Sequence, residues 1–97
     1  HRRLATTRDI SGGGIKFTSY ETLKPGDKIL VVIRLANDKM DHMFYLVAEV
    51  IDCASVENIR DKWVVRAKWL FKNMKDRDLI VRYVFEMDRM LRKKENG

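Results

Sequence analysis

The sequence predicts a mostly β fold: an antiparallel β-barrel of five to six strands followed by a C-terminal α-helix. Three observations predict it. Short apolar segments alternate with polar residues at a period of two as far as Lys72. Glycine-, proline- and aspartate-bearing turns separate them. Beyond Asn73 the apolar spacing becomes helical. The chain has 97 residues, so one domain over residues 1–97 is expected, with the barrel over about 4–72 and the helix over about 74–95.

Leu4 to Arg8 is short and carries two threonines, which suits a strand. Asp9-Ile10-Ser11-Gly12-Gly13-Gly14 is expected to be irregular, because three consecutive glycines weaken helix and strand alike. Ile15 and Phe17 alternate with Lys16 and Thr18, giving the next strand. Lys24-Pro25-Gly26-Asp27 is a turn: proline fixes φ and glycine admits a positive φ. Ile29 to Leu35 is a β-rich run, followed by the polar loop Ala36–Asp41. Phe44 to Ile51 is a further strand, and a second polar loop surrounds Glu57–Asp61. Trp63, Val65, Ala67, Trp69 and Phe71 then face one way, while Val64, Arg66, Lys68, Leu70 and Lys72 face the other. Leu79, Ile80, Tyr83, Val84, Met87, Met90 and Leu91 form the apolar stripe of the helix, with Asn73 at its start. Five antiparallel strands would most economically close into a barrel, which leaves no exposed edges.

Composition excludes several classes. The 45% apolar content, with two Trp, three Tyr and four Phe, supplies a core and argues against disorder. At 35% charged, the chain has no run near the ~20 apolar residues a membrane-spanning helix needs. Cys53 is the only cysteine, so no internal disulfide can form, which fits a reducing, cytoplasmic compartment. There is no signal peptide, and a start at His1 suggests a piece of a longer protein. The net charge is +6. Residues 1–8 and 72–97 carry the excess, and the middle is neutral. Basic ends suit an anionic partner or simple solvation. The neutral middle offers no continuous basic stripe for specific nucleic-acid binding.

Catalysis is poorly supplied. Neither His1 nor His42 lies in a nucleophile pattern, and no metal-ligand spacing is present. No catalytic residue, metal or cofactor is therefore expected. The informative segment is Arg8 to Gly14. Ionised Asp9 only accepts hydrogen bonds, so it matches the N1–H and N2–H₂ donors of guanine. Ser11 donates and accepts, and Gly12, Gly13 and Gly14 let a ligand approach the backbone. Arg8 can stack on a purine or fork to a phosphate. The same residues also suit a tight hairpin loop in which Asp9 and Ser11 cap their own backbone. The segment is not a P-loop, because the Gly-Lys-Ser/Thr ending is absent.

With Asp9, Ser11 and Gly14 in the pattern Asp/Asn-x-Ser-x-x-Gly, the sequence resembles the PilZ domain family. The Lys24–Asp27 turn, the Ala67-Lys68-Trp69-Leu70-Phe71 sheet end and the Asp78–Phe85 helical segment are similar to that family in order. The resemblance implies a six-stranded PilZ-type β-barrel with a C-terminal helix. It implies binding of the bacterial second messenger cyclic di-GMP, with Asp9 and Ser11 on a guanine. It further implies a phosphate clamp of the form Arg-x-x-x-Arg on an arm before the barrel. Arg3 and Arg8 are separated by four residues and lie against the loop, so the arm and first barrel strand are expected to be missing from this chain. Two lost arginine contacts at about 1.5–3 kcal/mol each would remove roughly 3–6 kcal/mol, or two to four decades of affinity.

The ligand-contact residues expected on this basis are Arg3, Arg8, Asp9, Ser11, Gly12, Gly13, Gly14 and Lys68. Lys68 and Arg66 lie outward on the last strand and can add cationic contacts or be solvated. Val81 and Phe85 lie off the main helical stripe, which suggests a second contact face for a partner domain, an effector or a second copy. The expected role is a receptor passing ligand state to a partner in motility or exopolysaccharide control, most like the C-terminal module of flagellar brake proteins by fold analogy. The alternative is a PilZ-like interaction module that binds no nucleotide.

Overall fold

The computed structural model describes residues 5–96. Its elements are β1 (Thr6–Ile10), β2 (Gly14–Ser19), β3 (Lys28–Ala36), β4 (Asp41–Ser55), β5 (Trp63–Trp69) and α1 (Met74–Asn96). The five strands form one antiparallel sheet in the order β1-β2-β5-β4-β3. The sheet curls into a half-barrel. Its edges, β1 and β3, are not hydrogen-bonded to each other. A 670 Å³ groove lies along this open seam, between Thr7 and Phe17 on one side and Ile29 to Ile33 on the other. Arg3 and the expected strand start at Leu4 lie outside the described residues, as do the side chains of Lys93 and Lys94.

Period-two patterning sets the core. Phe44, Leu46, Ala48 and Val50 of β4 point inward, as do Val65, Ala67 and Trp69 of β5 and Ile15 and Phe17 of β2. β4 runs well beyond the expected Phe44–Ile51 because it serves two neighbours in turn. Residues from Asp41 to Glu49 pair with β3, and those from Ala48 to Ser55 pair with β5. β5 ends at Trp69; Phe71 leaves the ladder and packs near the Trp69 ring, 6.2 Å between centroids.

The Asp9–Gly14 segment is more regular than its glycines suggest. Asp9 and Ile10 complete β1 opposite Lys16 and Ile15, and Gly14 opens β2 opposite Lys68. Backbone pairing on both sides of β2 outweighs the low strand propensity of glycine. Only Ser11, Gly12 and Gly13 remain as the connection. The Lys24–Asp27 turn forms as expected, with Gly26 at φ +94 and the Lys24 N–H donating to Asp27 Oδ2 at 2.9 Å. Gly26 N–H and Val50 N–H stitch this turn to β4, each at 2.8 Å.

Asn73 caps α1, its Oδ1 accepting from Lys75 N–H at 2.7 Å. Ile80 is fully buried across the open face of the sheet, with Leu79, Tyr83 and Val84 packed beside it. The expected stripe does not stay buried to its end. Met90 and Leu91 are exposed; this end of the helix lies beside the β3–β4 loop, where Glu86 pairs with Lys39 at 3.5 Å. Val81 and Phe85 are exposed, as their position off the stripe implies.

Candidate ligand-binding cleft

The β1–β2 connection is held rigidly from within and from below. Ser11 Oγ accepts from the N–H groups of Gly13 and Gly14, both at 3.2 Å, and donates to Gly14 O at 3.4 Å. The Ser11 N–H donates to Gly14 O at 2.9 Å. Trp69 clamps the turn from the core: its Nε1–H donates to Ser11 O at 3.0 Å and its backbone N–H to Gly13 O at 3.1 Å. Ser11 thus spends its hydrogen-bonding capacity on the shape of its own loop. The Gly13 and Gly14 amides are engaged by it rather than left for an anion.

The glycines have separate roles. A Cβ on Gly14 would overlap the Ala67 carbonyl oxygen, so β2 and β5 approach closely only with glycine there. A Cβ on Gly12 would lie 2.6 Å from Val81 Cγ2, so the loop rests on α1 at this point. Gly13 has no such neighbour; the nearest atom to a Cβ there is Ser11 Oγ at 3.8 Å.

A β-bulge decides where Asp9 points. Thr7 pairs with Phe17 and Asp9 with Lys16, so Arg8 is the extra residue in β1. Directly opposed residues share a face. Thr7 therefore lines the open seam with Phe17, and Asp9 turns to the outer face with Lys16. Without the bulge, Asp9 would oppose inward-facing Ile15. A second bulge in β4 places Val50 opposite Ala67 and Asp52 opposite Arg66, leaving Ile51 as its extra residue. Between the two bulges lies an open cleft of 420 Å³, within the usual range of small-molecule sites. Asp9, Ser11, Gly13, Lys16, Ile51 and Arg66 are among the residues that line it.

Of the expected contact residues, Asp9, Ser11, Gly13 and Gly14 meet at this cleft. Gly12 faces α1 instead. Arg8 is exposed at the bulge beside it, and Arg3 lies outside the described residues. Lys68 is outward, but its Nζ sits 3.4 Å from Glu49 Oε2 and it does not line the cleft. Lys16 and Ile51 line the cleft although sequence reasoning did not single them out, and Arg66, weighed only beside Lys68, does so too. The outward parity of Lys16 was visible in the alternation Ile15-Lys16-Phe17. Its partner Arg66 is remote in sequence, and only the β2–β5 register brings the two together.

Chemically, the cleft presents a carboxylate without a hydrogen-bond or ion-pair partner among the described residues, two cations and a glycine turn. Such a set suits a ligand with both amide-like donors and negative charge. Among the described residues, no group of three or more His, Cys, Asp or Glu is placed to hold a metal ion, and no helix is long and apolar enough to cross a membrane. Comparison with the curated proteins and with the solved structures returned no match. The family model described as PilZ domain matches residues 1–86, which takes in the cleft, all five strands and most of α1. With the Asp9-x-Ser11-x-x-Gly14 turn at the rim of a curled antiparallel sheet and that match over most of its length, the chain belongs to the PilZ domain family.

Proposed function

We propose that the chain is a cyclic di-GMP receptor module, with Asp9 accepting from the N1–H and N2–H₂ edge of one guanine. One observation carries the reading: the Arg8 bulge turns Asp9 outward into a cleft where no other group among the described residues occupies its carboxylate. Arg8, at the bulge, can stack on the base or fork to a phosphate. Ser11 and Trp69 act as positioning residues that fix the turn. The output passes through α1, because Gly12 of the turn rests on Val81 of the helix. Ligand that displaces the turn must move or release that contact, which supplies the differential contact a two-state signal requires. The setting is the bacterial cytoplasm, and the recipient is an effector protein or companion domain that controls motility or exopolysaccharide.

Calorimetric titration tests this. Asp9→Ala and Arg8→Ala are expected to abolish the heat of cyclic di-GMP binding while leaving the melting temperature within a few degrees, since both side chains are exposed. Unchanged binding in Asp9→Ala would refute the reading. The engagement of Ser11 within its own loop favours a second reading, an interaction module without nucleotide, and under it both variants are silent.

A further inference from the structure

The outer face of the sheet carries one cross-strand row of charges. In order across β1, β2, β5 and β4 it reads Asp9, Lys16, Arg66 and Asp52. Like charges directly opposite each other in a sheet repel, and here Lys16 opposes Arg66. Neither cation has an ion-pair or hydrogen-bond partner among the described residues, although an acid flanks each. Lys68, two residues along β5 from Arg66, is treated differently. It faces Gly14 rather than a cation on β2, and Glu49 lies 3.4 Å from it.

The two bulges bound this same row. Each turns an acid outward at an end of it, and the second also leaves half-exposed Ile51 as an apolar side to the cleft. Bulges concentrate where a sheet re-aims side chains toward a site. An adjacent unneutralised ammonium and guanidinium is an unfavourable arrangement without an anion and a favourable one with it. The guanidinium offers a planar fork and the ammonium a compact charge, both suited to phosphate oxygens.

We propose that Lys16 and Arg66 form a phosphate-binding pair on the sheet itself, holding a phosphodiester of the cyclic dinucleotide whose guanine Asp9 takes. The proposal rests on the reading of Asp9 given above. It assigns phosphate contacts to β2 and β5, separate from any arginine arm before the sheet.

The test uses the 97-residue chain, with amide shifts of the ¹⁵N-labelled protein followed during titration with two probes, cyclic di-GMP and phosphate-free guanosine. Lys16→Ala and Arg66→Ala are each expected to weaken cyclic di-GMP binding by roughly ten- to hundredfold. Neither should alter the response to guanosine, and Lys68→Ala should alter neither titration. Both variants should melt within a few degrees of the wild type, since each loses one like-charge and one opposite-charge neighbour across the sheet. If both bind cyclic di-GMP like the wild type while Asp9→Ala binds neither probe, the phosphate pair is refuted and the guanine reading stands. The titration is carried to millimolar ligand, which keeps binding in range after the two to four decades expected to be lost with the arm; a wild-type chain that still responds to neither probe overturns both readings.

Discussion

Replacing Gly14 with alanine places a methyl group against the Ala67 carbonyl oxygen, with Ala67 C and Lys68 Cα each only 3.2 Å away. All three neighbours are backbone atoms, so no side-chain rotation relieves the overlap; β2 and β5 must separate. Overpacking of this kind costs about 1–3 kcal/mol. Gly14 does not lie in the left-handed region, so alanine recovers about 0.4–1 kcal/mol by restricting the unfolded chain. Because every neighbour is backbone, the cost falls in the upper part of that range, about 2–3 kcal/mol, and the net loss is about 1–2.6 kcal/mol, or roughly 4–21 °C in Tm for a domain of this size. Gly13→Ala is the matched control. Its nearest contact is an ordinary 3.8 Å, so the entropic gain acts alone and stability should hold or rise slightly. Urea denaturation and calorimetry of both variants decide the matter. Equal losses, or a Gly14→Ala protein as stable as the wild type, would refute the close-approach explanation.

Two further perturbations probe other parts of the fold. Gly12→Ala brings a methyl to 2.6 Å from Val81 Cγ2, so it should destabilise alone and be largely tolerated together with Val81→Ala; simple additivity in that double-mutant cycle would show that loop and helix are not in contact. Arg34 donates to Asp41 through Nε at 2.8 Å and Nη2 at 2.7 Å, and these hydrogen bonds hold the Asp41 carboxyl below its ordinary value. Stability from this pair is therefore present above the unfolded carboxylate pKa and lost as pH falls through the lowered folded one. Asp41→Asn should melt lower than wild type near neutrality, with the gap narrowing in acid; a gap that widens in acid would contradict the assignment.

Much of the fold was legible because β5 and the start of α1 obey simple periods. Trp63 to Trp69 alternates without interruption, and Asn73 caps the helix where its side chain predicts. What escaped was non-local. β4 seemed to stop at Ile51 because the bulge there breaks the alternation, and only pairing with β5 carries the strand on to Ser55. Met90 and Leu91 continue the helical stripe in sequence, but the sheet gives them nothing to pack on. The Asp-x-Ser-x-x-Gly turn was visible, yet its division of labour was not. Parity alone cannot tell that Asp9 faces out through a bulge, or that Ser11 turns back on its own amides. Arg66 and Lys68 have the same parity, and Glu49, on a different strand, determines which of them is paired.

The most direct measurement compares cyclic di-GMP with cyclic di-AMP on the ¹⁵N-labelled chain. Adenine lacks the N1–H and N2–H₂ donors that an acceptor-only Asp9 needs. Cyclic di-GMP should therefore shift the amides of Asp9, Gly12 and Gly13 in a saturable manner, at concentrations where cyclic di-AMP, which keeps the phosphates but lacks those donors, leaves them nearly unmoved. Equal responses to the two nucleotides, or shifts confined to β3 and the β3-paired half of β4, would contradict the assignment of this cleft as a guanine-selective site.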